Sequence, residues 1–194
     1  WYEVGRTPTP FESGLSCITL EHELFPNGSL TIRSTGRKPN GDFYDLAGVA
    51  NRNLSEPAKF DVQFPTSSRV AHYWVVDTDY DSYSVVFTCA DRGPKGVSKN
   101  VFVLSRTPAA STDLPETLFQ KWQPHVGLDA TVSFVTHVQD GCTYRLYVEP
   151  SPECDTKTEI LVEPGVDSPA DIVIGTAEVH KEAVHDTDHE FCAQ

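Results

Sequence analysis

The feature that most constrains this chain is the recurrence of short alternating runs broken by turn signals. Runs of apolar, β-branched and aromatic residues lie near 1–6, 17–25, 29–35, 43–51, 59–64, 71–80, 82–89, 100–106 and 131–138. Period-two alternation of this kind marks strands with one buried face. Pro-Asn-Gly at 26–28 and at 39–41, and Asp-Arg-Gly-Pro at 91–94, are turn-forming clusters between them. A single helix stands out after Ser111-Thr112-Asp113. Thr112 or Asp113 is its expected N-cap, Pro115 lies in its first turn, and Leu118, Phe119 and Trp122 follow at helical spacing. Gly127 is the expected stop.

Strands that follow one another without intervening helices exclude a parallel sheet. Eight or nine sequential antiparallel strands remove their exposed edges by closing into an up-and-down barrel. The expected fold is therefore all-β, an eight-stranded antiparallel barrel with one helix on its carboxy-terminal side; a sandwich is the competing arrangement. Eight strands leave an interior that side chains fill or that holds one small ligand. The barrel and helix are expected over residues 1–145. Residues 146–194 form an extension, packed on the barrel or partly mobile, interrupted by prolines, with 172–174 as a candidate short strand.

The 194 residues carry 28 Asp+Glu against 15 Lys+Arg, a net charge of -13. Such a chain repels phosphate backbones and anionic bilayers, so no nucleic acid and no membrane insertion are expected. No apolar run reaches the length of a membrane-spanning helix. The chain opens on a strand, WYEV, with no signal peptide, which reads as a processed or trimmed amino terminus. Five widely spaced cysteines (Cys17, Cys89, Cys142, Cys154 and Cys192) match no zinc spacing and point to disulfides and secretion. Asn27 and Asn53 head glycosylation sequons.

No G-x-S-x-G, P-loop or H-E-x-x-H motif is present, so no enzymatic activity, catalytic residue or catalytic cofactor is expected. Asp77, Asp79 and Asp81 read as turn residues. His185 and His189, spaced i,i+4 with acids between, read as part of a solvated acidic tail rather than a metal site.

Four segments, in this order, resemble the lipocalin family. They are WYEVGRTPTPFESGLSC at 1–17, NLSEPAKFDVQF at 53–64, YWVVDTDYDSYSVVFTC at 73–89 and VFVLSRTP at 101–108. The resemblance is to the apolipoprotein D-like kind, with invertebrate pigment lipocalins such as crustacyanin and bilin-binding protein close by. It implies structural roles for Trp1, Thr78, Asp79, Tyr80 and Arg106, with the Arg106 guanidinium stacked on Trp1 at the closed end. The Gly that usually precedes that Trp falls before residue 1. The resemblance also implies a Cys17–Cys142 disulfide, and places the partner of Cys89 upstream of Trp1. Cys154 and Cys192 are then left to pair with each other, or one of them bonds Cys89.

The expected ligand-facing set, from strand alternation and the resemblance together, is Leu20, His22, Leu24, Phe64, Tyr73, Val75, Val86, Phe102 and Leu104. Ile18, Phe60, Val62 and Thr88 share the inward phase. The same residues read as ordinary core if the barrel is filled. His22 could donate to a keto or carboxylate group of a ligand. The expected function is a secreted carrier of a small hydrophobic ligand, a carotenoid (astaxanthin-like) first and a bilin second. A sterol or fatty-acid carrier, or a structural or storage barrel, is the alternative. A carotenoid is longer than one cup, so that reading also implies an open end or an oligomer with itself or with a related lipocalin chain.

Overall fold

The computed structural model describes residues 1–26, 28–147 and 159–162. Eight antiparallel strands form the barrel: β1 (Tyr2–Arg6), β2 (Ser16–Leu24), β3 (Leu30–Arg37), β4 (Phe43–Arg52), β5 (Lys59–Gln63), β6 (Val70–Thr78), β7 (Tyr83–Asp91) and β8 (Val97–Ser105). Each pairs with its sequence neighbour, and β1 pairs with both β2 and β8, which closes the sheet. The β1–β2 seam is short, with only Tyr2 opposite Thr19 in register. Beyond it, β9 (Val135–Thr136) pairs with Gly5 and Arg6 of β1. Gln139 bridges the seam by donating from Nε2 to the carbonyls of Glu3 (2.7 Å) and Ile18 (3.2 Å). Cys17 and Cys142 are bonded beside it, joining residues 125 apart in sequence.

Two apolar layers share the strands. Ile18, Leu20, Ile32, Val62, Tyr73, Val86, Phe102 and Leu104 fill the barrel interior. Val85, Phe87, Val101 and Val103 face outward and are covered by α1 (Leu114–Trp122), chiefly through Leu118 and Phe119. Each such side chain removed from water contributes about 1.5–3 kcal/mol. Cys89 lies in this outer layer, which fixes the phase of β7. Asp77 ties α1 to the wall, accepting from Lys121 Nζ (2.7 Å) and Trp122 Nε1 (2.8 Å).

Several sequence expectations need correction. β6 ends at Thr78, because Tyr80 lies at φ +68 and leaves the extended region. Asp77 consequently belongs to β6 and not to the turn. β8 begins at Val97, three residues early, paired with Asp91. The run at 131–138 contributes only Val135–Thr136. Asp113 is the N-cap residue of α1, as expected, but its side chain makes no capping hydrogen bond; the Leu114 N–H is taken by the Ser111 carbonyl at 3.2 Å. Gly127, at φ +64, closes the turn after α1. Its N–H reaches the Pro124 carbonyl and the Leu128 N–H reaches that of Gln123, a pattern that favours glycine.

A separate hairpin pairs β10 (Tyr144–Tyr147) with β11 (Glu159–Val162), which strand alternation did not reveal. Cys89 is disulfide-bonded too. Cys154, Cys192, Asn27 and the candidate strand at 172–174 lie outside the described residues. No helix among the described residues is long and apolar enough to cross a membrane.

Candidate ligand-binding site

Inward-facing side chains of β2, β3, β5, β6 and β7 surround a cavity of about 160 Å³ inside the barrel. His22 and Tyr73 stand in its wall and join across the interior, His22 Nε2 to Tyr73 Oη at 3.0 Å. Their rings meet edge to face, with centroids 5.9 Å apart. Burial holds the His22 pKa down to about 3, helped by the Arg106 charge. Burial likewise pushes the Tyr73 hydroxyl up. The pair is therefore uncharged across the physiological range, and it offers one donor and one acceptor in an apolar setting.

The end near Trp1 is built from the β6–β7 turn. Arg106 lies with its guanidinium carbon 3.6 Å from the centre of the Trp1 ring, a cation–π contact worth about 0.5–2 kcal/mol. Its Nε and Nη2 also reach the Tyr80 carbonyl at 3.4 Å. Asp79 shapes the turn by accepting from the N–H groups of Ser82 (2.8 Å) and Tyr83 (2.9 Å). Thr78 Oγ1 donates to the Tyr83 carbonyl at 2.6 Å and accepts from the Tyr80 N–H at 2.9 Å. Thr78, Tyr80 and Trp1 thereby reach the cavity wall.

A β-bulge explains part of this wall. The β6–β7 register shifts between Val75 and Asp77, so Val75 faces Val86, Asp77 faces Val85 and Thr78 faces Ser84. The extra residue turns Asp77 outward to α1 and Thr78 inward to the cavity. Strict alternation from Tyr73 and Val75 predicts the reverse.

Of the expected ligand-facing residues, His22, Tyr73 and Val75 line this cavity. Leu20, Val86, Phe102 and Leu104 are buried in the surrounding interior layer. Phe64 packs on that layer with its ring against Gly48, where a β-carbon would come within 2.7 Å of it. Leu24 is the exception. It shares a face with Leu30, its partner in register, but the strand ends there and leaves it 47% exposed. Sequence reasoning missed Leu30 and Ser84 as lining residues. Alternation back from Ile32 and from Val86 would have found both. Asn53 stands exposed on the β4–β5 turn.

A lipocalin-like domain matches residues 1–133. The chain belongs to the lipocalin family. This lipocalin is 39% identical over 90 residues to apolipoprotein D of Rattus norvegicus, covering 46% of this chain and 47% of that protein. The chain thus spans about half the length of the curated relatives it matches. Its fold is similar to lobster apocrustacyanin A1, with a TM-score of 0.58 and 24% identity over 72% of this chain and 75% of that one. It is also similar to insecticyanin of the tobacco hornworm Manduca sexta, with a TM-score of 0.55 and 20% identity over 71% and 75% of the two chains. At these identities the structural likeness establishes the shared barrel.

Proposed function

We propose that this lipocalin is a secreted carrier of a small hydrophobic ligand, held in the barrel without covalent chemistry. The observation that carries the reading is the apolar cavity with the uncharged His22–Tyr73 pair in its wall. Apolar walls supply affinity at about 25 cal/mol per Å² buried, and one neutral polar pair orients the ligand. The Cys17–Cys142 disulfide fits an oxidising compartment.

The ligand class we propose is a carotenoid of the astaxanthin kind, with a bilin second, as the resemblance to pigment lipocalins implies. Such a ligand outsizes the cavity. Pockets for drug-sized ligands run to about 300–1,000 Å³, against about 160 Å³ here. The cavity would hold one ring of the pigment, and the rest would emerge or be shared with a second copy or a related chain. A sterol or a fatty acid is the second reading, favoured because each is smaller than a 40-carbon pigment and would leave less of itself outside the cavity.

The test is titration of the purified protein with astaxanthin, biliverdin and cholesterol, followed by quenching of Trp fluorescence. The pigment reading expects saturable binding of one of the first two with a shifted visible band. Saturable binding of cholesterol alone would replace it with the second reading, and no binding would favour a filled structural barrel. His22→Phe should weaken a keto-bearing ligand about tenfold, the loss of one hydrogen bond in an apolar site. A hydrocarbon without polar groups should bind unchanged. Equal affinity of both proteins for the keto ligand would remove His22 from the site.

A further inference from the structure

The outer face of β6 and β7 carries an aromatic patch that ends on a bonded cysteine. Trp74 stands opposite Phe87, and His72 opposite Cys89, in register. The Trp74 and Phe87 rings lie 5.8 Å apart between centroids, and the His72 ring is tilted on Trp74 at 5.9 Å. Leu118 and Phe119 of α1 pack over this outer layer, but Trp74 stays half-buried at its border. Cys89 is only 1% exposed and is disulfide-bonded. Trp74 and Phe87, like Cys89, interact with more than these neighbours.

The partner of Cys89 is one of two residues. Cys17 and Cys142 are bonded to each other, which leaves Cys154 and Cys192. Cys154 stands five residues before Glu159, where β11 begins. Five residues at full extension reach about 18 Å. The β10–β11 hairpin is on the far side of the barrel: β10 lies against β3, and β7 is the fourth strand from β3 in either direction. At about 4.8 Å per strand in a tilted sheet, and more outside it, the way round the wall is roughly 25–30 Å. Cys192 stands 30 residues beyond Val162 and meets no such limit.

The residues before Cys192 also suit the patch. Phe191 is its immediate neighbour and brings a ring to an aromatic surface. Glu182, Asp186, Asp188 and Glu190 precede it. Two lysines flank the patch, Lys59 opposite Trp74 and Lys99 opposite Cys89. The charges are complementary. We propose that Cys192 is the disulfide partner of Cys89, and that the bond seats Phe191 on Trp74 and Phe87 against the outer wall of β6 and β7. The bond forms as two thiols give up two protons and two electrons to a disulfide oxidant, which leaves as two thiols. The family resemblance implies a partner upstream of Trp1, so this pairing is the chain's own arrangement. It backs the strand whose inner face carries Tyr73 and Val75. It goes beyond the binding reading and does not depend on it.

The test is a disulfide map of the protein from its natural source, alkylated with iodoacetamide before any reduction and digested with trypsin. Trypsin leaves Cys89, Cys154 and Cys192 in separate peptides, 70–92, 146–157 and 182–194. The expected result is 70–92 joined to 182–194. A link from 70–92 to 146–157, or to any peptide upstream of Trp1, would overturn the proposal, as would an alkylated Cys89. Melting of full-chain variants is the second readout. Cys192→Ser should lower Tm by about 5–15 °C, the effect of losing one long-range disulfide in a chain of this size. Cys154→Ser should leave Tm within about 2 °C. The reverse order would overturn the bond. Phe191→Ala, with the bond kept, should raise hydroxyl-radical oxidation of Trp74 at least about twofold, as the indole loses the ring that covers it. Unchanged oxidation of Trp74 would remove Phe191 from the patch.

Discussion

Replacing Arg6 with Met will destabilise this protein by about 3–5 kcal/mol at pH 7, the typical cost of stranding buried charges. Arg6 is the shared partner of Glu3 and Glu12 and is almost fully enclosed with them. Without it, both acids must be protonated to remain inside. The deficit will grow with pH, because these acids, raised by burial in the folded state, contribute stability below their folded pKa and lose it above. Urea midpoints from pH 5 to pH 8 measure this, and the variant should show the steeper decline. A companion in which Glu3→Met and Glu12→Leu accompany Arg6→Met should recover most of the loss, because an enclosed ion cluster replaced as a whole by apolar side chains of similar volume is often near neutral. No recovery would mean that the guanidinium contributes through packing.

The second large effect is expected at the seam. Removing the Cys17–Cys142 bridge by paired replacement with Ala should cost about 2–5 kcal/mol, because the bridge closes a loop of well over a hundred residues. The loss should fall on the β1–β2 edge first, where only Tyr2 and Thr19 pair in register and Gln139 completes the join. Exchange protection there should drop more than at the continuous β7–β8 ladder. Equal loss along both would show that the seam is not the weak edge of the barrel.

Much of the barrel was legible because its strands follow one another and its turns carry their own residues. On β7 and β8 both faces are apolar, so alternation alone could not say which looks inward. Cys89 set the phase, and Val86, Phe102 and Leu104 lie in the interior with Val85, Phe87, Val101 and Val103 beneath α1. What stayed hidden was the enclosed cluster. Glu3 and Arg6 are three apart, and strict alternation would place them on opposite faces. A register shift between Glu3 and Gly5 turns both inward, and period-two reading cannot see a bulge. The same device on β6 hid Thr78 from the cavity wall and Asp77 from α1. Glu12 was invisible for another reason. An acid in a connecting segment reads as solvated until the fold brings Arg6 to it. Leu24 failed differently: alternation gave its face but not the end of the strand.

Whether this barrel carries a pigment is decided by the visible absorption spectrum of the protein purified from its natural source, taken before and after extraction into organic solvent. The extract is then weighed by mass spectrometry. The expected result is a visible band that leaves with the solvent, and a lipophilic pigment in the extract whose mass separates carotenoid from bilin. A colourless protein that yields a sterol or fatty acid would overturn the pigment and keep the carrier. A colourless protein with an empty extract would contradict the claim that this barrel carries a hydrophobic ligand.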